Sequence, residues 1–308
     1  MAVLAELRYP TTGIAKLISA LLALLLFAFV AISSISGYLL YQALRPQRTT
    51  SSVNLDNMMG HPNSLSFTLA DGSSRDGWYF PGLRGAPAII VCHGYLSQRA
   101  DVLTLVTALQ DHQFNVFLFD FSGHGTSPRG TTLGYTETAE LRAAVQMLST
   151  RDDVDPKRFG LWGVDLGGYA ALEVATSDPR IAAIAVDNAY TDPRAMMQIQ
   201  MKHSGLGVIP FVDRFTDFGF RMANYPYRDT PSVTTRLALM KEMPKLFITS
   251  NDQPDLANQT FDIFAAAPGP KQLQRDPASY AYMSDDDRKN YENQIVSFFL
   301  QSIPPAAQ

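Results

Sequence analysis

The segment Leu161-Trp162-Gly163-Val164-Asp165-Leu166-Gly167-Gly168 constrains the fold of this 308-residue chain more than any other stretch. It leaves a strand-like apolar run, Phe159-Gly160-Leu161-Trp162, and enters an alanine-rich helical pattern from Gly167 onward. A strand that becomes a helix with no loop between them puts Asp165 on a strained corner. Glycines two residues before and two after it, at 163 and 167, remove the side chains that would collide across that corner. Short glycine patterns recur by chance, so it is the position between strand and helix that gives this one its weight.

The surrounding pattern is alternating strand and helix. Ser64–Leu69 and Trp78–Phe80, joined by Asp71-Gly72, read as a leading hairpin. Ala88-Ile89-Ile90-Val91-Cys92 is an unbroken apolar run, as expected of a strand covered on both faces. A helical stripe follows at Val102, Leu105, Val106 and Leu109, then a strand at Val116–Phe119 and a second stripe at Leu141, Ala144, Val145 and Leu148. Ile181–Val186 and Lys245–Thr249 read as further strands. The last helix starts at Ser284-x-x-Asp287 and offers Tyr291, Ile295, Phe298 and Phe299 to a core. The expectation is an α/β domain over 61–302, with a mostly parallel central sheet and helices on both faces. Between Tyr190 and Met243 the alternation breaks. This 190–243 insertion holds Met196, Met197, Met201, Phe211, Phe215, Phe218 and Phe220, which either pack it onto the domain or line an apolar pocket beneath a lid.

The N-terminus is a different material. After a flank of residues 1–16, no charge occurs between Lys16 and Arg45, a stretch of 28 residues. As a helix this 17–44 segment runs roughly 42 Å, more than the ~30 Å hydrocarbon core requires. Ser34 and Ser36 resemble a signal-cleavage site, but the apolar run continues to Tyr38, Leu39 and Leu40, favouring a retained single-pass transmembrane anchor. Arg8 and Lys16 on one side balance Arg45 and Arg48 on the other, leaving the side of the membrane open. Residues 45–60, with Pro46, Thr49, Thr50, Ser51 and Ser52, read as a linker. The net charge of −4, with no basic run, excludes a nucleic-acid footprint. Cys92 is the single cysteine and cannot form an internal disulfide.

Over about residues 60 to 302 the chain resembles the α/β-hydrolase superfamily. The glycine corner resembles its nucleophile elbow (Gly163, Gly167, Gly168), with Asp165 at the nucleophile position where serine is usual. His93-Gly94-Tyr95 resembles the oxyanion loop, which implies oxyanion donors at the backbone of Tyr95 and Leu166. Asp120-Phe121-Ser122-Gly123-His124-Gly125-Thr126-Ser127 resembles the D-x-R-G-x-G-x-S turn, with Ser122 where arginine is common. Asp252 stands at the position of the triad acid. The family's chain order then calls for a histidine before the final helix. The loop there reads Asp276-Pro277-Ala278-Ser279-Tyr280-Ala281-Tyr282, with Tyr280 at the position of the missing histidine. The five histidines are His61, His93, His112, His124 and His203. His93 and His124 fit structural roles, His61 and His112 solvated ones, and His203 alone could fold over the site from the insertion.

Two losses point one way. An aspartate has no proton for a base to remove and is a poor nucleophile toward ordinary esters. Where aspartate does serve as nucleophile in this fold, a histidine-activated water must release the covalent ester. A tyrosine is a poor base at pH 7. The expected protein is therefore a membrane-tethered homologue without turnover, binding a small apolar ligand or a protein partner, with no cofactor and no metal. The alternative is a hydrolase of esters or related apolar substrates, with Asp165 as nucleophile and a non-standard base such as His203. A carboxylate at a helix N-terminus is favoured by the helix dipole. Asp165 is thus expected to occupy its own oxyanion hole, with a pKa below the ordinary ~3.9, stabilising the domain while blocking acyl transfer. Arg99 and Arg129 are either anion-attracting groups at the mouth or simply solvated.

Overall fold

The computed structural model describes residues 12–48, 50, 51, 53, 62–127 and 129–305. Residues 1–11 of the expected flank, positions 49, 52 and 54–60 of the expected linker, and His61 lie outside the described residues. Eight strands form one sheet: β1 (Asn63–Thr68), β2 (Ser74–Phe80), β3 (Ala86–Cys92), β4 (Asn115–Phe119), β5 (Val154–Val164), β6 (Ile181–Asp187), β7 (Lys245–Ser250) and β8 (Lys271–Asp276). Their order is β1-β2-β4-β3-β5-β6-β7-β8. The leading hairpin joins antiparallel, Gly77 opposite Phe119, and all pairs from β4 to β8 are parallel.

The helices are α1 (Gly13–Leu44), α2 (Leu103–Asp111), α3 (Tyr135–Leu148), α4 (Asp165–Ala175), α5 (Pro193–His203), α6 (Val212–Ala223), α7 (Pro254–Ala266) and α8 (Asp285–Ser302). They cover both faces, which explains the unbroken apolar strands. Ile90 and Leu161 face a core built with Leu141, Leu172 and Met196 from α3, α4 and α5. Their neighbours Ile89 and Trp162 face a second core with Leu105 of α2 and Ile295 and Phe299 of α8. α8 begins where its capping pair predicts: Ser284 Oγ accepts from Asp287 N at 3.2 Å and donates to Asp287 Oδ2 at 2.6 Å. β8 was not anticipated. It is an edge strand, Lys271-Gln272-Leu273-Gln274-Arg275-Asp276, whose polar composition hides it.

Helix α1 is long and apolar enough to cross a membrane. Thr12 caps it, accepting from Ala15 N, and it ends at Leu44. Leu21 to Val30 are largely bare. The last turns are not. Ser36, Leu39 and Ala43, spaced three and four apart, are buried on one stripe. Ser36 Oγ donates to Val212 O, Tyr95 Oη donates to Ala43 O at 3.0 Å, and Thr131 N donates to Leu44 O at 2.9 Å. The C-terminal end of the uncharged stretch is therefore a packed part of the domain. The following segment is also held: Ser51 N donates to Gln98 Oε1 at 3.0 Å.

Candidate active site

Asp165 opens α4 directly after β5, with φ +36°, in the left-handed region that side-chain-bearing residues seldom adopt. Val164 before it is still extended. A Cβ on Gly163 would lie 2.4 Å from the carbonyl of Gly167, and one on Gly167 would lie 2.4 Å from Cys92 O. The corner is thus pressed against the end of β3 so closely that only glycine fits.

That approach brings Asp165 under the loop after β3. Tyr95 N donates to Asp165 Oδ1 at 2.6 Å, and Leu166 N donates to the same oxygen. These are the two amides expected to form an oxyanion hole. Gly94 lies against the other oxygen, where a Cβ would be 2.8 Å from Oδ2. Asp165 is partly open to a cavity of about 520 Å³ lined by Leu96, Val164, Asn188, Met196, Ile199 and Tyr280 among others.

The electrostatics overturn one expectation. The two amides do lower the pKa of Asp165, but burial outweighs them and pushes it up to about 6. The carboxyl accordingly costs the domain stability at neutral pH instead of adding it. Occupation of the two donors is a matter of geometry and does not depend on that sign.

The remaining expected triad positions do not assemble into a relay. Asp252 accepts from Ser279 N at 2.8 Å and Ser279 Oγ at 2.7 Å, one residue before Tyr280. The Tyr280 ring packs on Trp162 and Tyr291, and its hydroxyl donates to Glu292 Oε1 at 2.7 Å beside Thr104 Oγ1. Burial, then the Glu292 charge, raises its pKa still further from that of a base. His203 lines the cavity rim, half exposed, with Nε2 3.6 Å from Asp255 Oδ2. His93 is fully buried: Nε2 accepts from Phe121 N at 3.0 Å and Nδ1 meets Gly94 O at 2.8 Å, so it braces the loop and burial lowers its pKa. His124 is buried beside it, bonded to Ser122 O, and held down at about 3 by burial and by His93. His112 is exposed. Arg99 stacks on Trp78 and pairs with Asp120, and Arg129 pairs with Asp71, so neither is a free anion site.

Three features escaped sequence reasoning. Arg75 of β2 reaches the turn after β4, donating to Glu140 Oε1 at 2.8 Å and to Ser122 Oγ at 3.1 Å, so a guanidinium from elsewhere serves the position where Ser122 stands. Asn188, at φ +51°, fixes the cavity wall by exchanging two hydrogen bonds with Ser250. Asp187 lies fully buried under the site, accepting from Tyr291 Oη, which accepts from Trp162 Nε1. Burial raises its pKa well above the carboxylate range, and the nearby Asp276, Asp165 and Asp252 add to the rise. None of these partnerships has a local sequence signal, because each joins distant segments. Among the described residues no group of three His, Cys, Asp or Glu is placed to hold a metal.

Residues 87–286 match the family described as the alpha/beta hydrolase fold. The uncharacterized protein YfhR of Escherichia coli K12 is 27% identical over 253 residues, 79% of this chain and 82% of YfhR. The uncharacterized protein Rv2307c of Mycobacterium tuberculosis is 37% identical over 123 residues, 39% of this chain and 43% of that protein, so that match spans under half of its length. Among solved structures, the Pyrococcus furiosus esterase Pf2001 superposes with a TM-score of 0.65 at 18% identity, covering 85% of this chain and 99% of the esterase. At that identity the likeness speaks for the fold alone. Strand order, the strained corner after β5 and a family match over most of the domain agree: the chain belongs to the α/β-hydrolase fold family.

Proposed function

We propose that this chain is a membrane-anchored α/β-hydrolase homologue that has lost ester turnover and holds a small apolar ligand in the cavity over Asp165. One observation carries the reading. Asp165 Oδ1 takes both backbone donors that would otherwise receive a developing oxyanion. A substrate carbonyl cannot use them while the carboxyl is there. No histidine among the described residues bonds to Asp165 or to Asp252, so none of them supplies the base of the family's proton relay. The retained anchor is supported by the length and bareness of α1.

A second reading is favoured by Asp165 Oδ2, which accepts no hydrogen bond among the described residues and borders the cavity. That oxygen could attack an electrophilic carbon, displacing a leaving group and forming an alkyl ester on Asp165. With His203 held toward Asp255, water would not be activated to release it. Incubating the full chain with an activated ester, an alkyl halide and an epoxide, followed by intact-mass measurement and product assay, separates the cases. The proposal expects neither product above background nor added mass. A stable adduct on Asp165 supports the second reading, and sustained turnover abolished by His203→Ala sinks the loss of catalysis.

A further inference from the structure

The bare half of α1 and the packed half meet at the insertion. Phe215 of α6 stands edge-on to Phe29 of α1, with ring centroids 5.6 Å apart, about seven residues and ~10 Å nearer the apolar end than Ser36. The outward face of α6 carries Phe218 and Met222, more than half exposed, with exposed Arg214 one turn before Phe218 and Arg221 next to Met222, and continues to Tyr225. Apolar and aromatic side chains interleaved with arginine suit the headgroup region of a bilayer. Ser36, Leu39 and Ala43 are packed into the domain, so the last turns of α1 are fixed to the fold. With α1 across a bilayer, that packing sets the insertion at the membrane surface.

A second cavity, of about 370 Å³, opens there. Its walls are Leu39, Gln42 and Ala43 of α1 on one side and Met197, Met201 and Ser204 on the other. It shares Tyr95, Leu96, Gln200 and His203 with the cavity over Asp165. α5 lines both: Met197 and Met201 in the outer space, Met196 and Ile199 in the inner one. The end of the apolar helix is itself a wall of the outer cavity, and thioether side chains line both cavities, adapting to a flexible chain.

We infer that the cavity over Asp165 is filled from within the bilayer, by the chain of a neutral single-chain amphiphile that enters between α1 and α5. The inference rests on reading that cavity as a ligand site and α1 as a membrane span; it does not depend on whether turnover survives. A neutral polar end, such as a hydroxyl, can donate to the open Oδ2 of Asp165, whereas a carboxylate would meet like charge above pH 6. Asn188 and Ser279 line the same inner end.

The test uses the full chain in phosphatidylcholine nanodiscs containing a monoacylglycerol with a diazirine in its acyl chain. Irradiation is expected to label Met196 or Ile199 as well as the lipid-facing residues between Leu21 and Val30. Gln42→Trp and Ser204→Trp narrow the outer passage from opposite sides, and both positions are exposed. Each should reduce inner labelling at least tenfold while leaving the lipid-facing labels unchanged. A variant whose circular dichroism departs from wild type is replaced by Gln47→Trp, on the same passage. Undiminished inner labelling in folded variants overturns entry from the bilayer. So does labelling confined to the lipid-facing residues, and a short water-soluble diazirine alcohol then decides what else falls. If that probe labels Met196, the cavity remains a ligand site filled from water; if it does not, the ligand reading falls as well.

Discussion

Asp165→Asn is expected to stabilise the full chain by roughly 2–3 kcal/mol at pH 7.5, and by about half as much at pH 5. The folded-state pKa of Asp165 is about 6, against 3.8 for the unexceptional side chain. Below 3.8 the group is protonated in folded and unfolded chains alike and carries no penalty. Between 3.8 and 6 the folded state holds the proton more tightly, so rising pH removes stability, and above 6 the full cost of a charged, largely desolvated carboxyl is present. Asparagine keeps an oxygen for Tyr95 N and Leu166 N, tolerates the positive φ, and carries no charge. Glu140 and Asp187 also have raised pKa values while Asp153, Asp155 and Asp178 have lowered ones, so the whole protein mixes slopes of both signs. The difference between wild type and variant isolates Asp165. Denaturant midpoints in detergent at the two pH values measure it, and an asparagine variant less stable than wild type at pH 7.5 would refute the electrostatic account.

The glycines of the corner should respond in the opposite sense, and more strongly. Gly167→Ala places a methyl 2.4 Å from Cys92 O and 2.7 Å from His93 O, and Gly163→Ala places one 2.4 Å from the Gly167 carbonyl. These are backbone atoms of α4, of the end of β3 and of the loop after it, and they cannot rotate away. Each substitution is expected to cost about 3 kcal/mol or more, enough to deplete folded protein in a chain of ordinary stability. Gly168→Ala is the control. Its methyl would meet Gly163 O at 3.1 Å and the Ala189 side chain at 3.2 Å, a mild crowding. It also gains up to ~1 kcal/mol of helix propensity. Near-neutral stability for Gly168→Ala beside collapse of the other two is the expected pattern in thermal or denaturant unfolding.

The contrast between those glycines shows what a sequence can reveal. The corner was legible because its steric demand is local: strand, turn and helix lie within eight residues, and the glycines stand where side chains would collide. The capping pair Ser284 and Asp287 announced α8 for the same reason. β8 was not legible, because an edge strand needs no apolar run and Gln272, Gln274 and Arg275 read as loop. The packing of Ser36, Leu39 and Ala43 was hidden too, since apolar residues facing lipid and apolar residues facing a domain look alike in a hydropathy profile. The donors to Asp165 could be foreseen from the resemblance, and the sign of its pKa shift could not. That sign is a contest between two amides and the depth of the cavity floor, and depth is a property of the assembled fold.

One carboxyl oxygen of Asp165 occupies two amides. Selective ¹⁵N labelling of tyrosine and leucine in the full chain allows the amide protons of Tyr95 and Leu166 to be followed by NMR from pH 4.5 to 8. If both donate to Asp165 Oδ1, they shift together with a single midpoint near pH 6, and the shift disappears in Asp165→Asn. Amides that titrate independently of each other, or do not respond to pH at all, would contradict the claim that Asp165 fills the site where an oxyanion would otherwise sit.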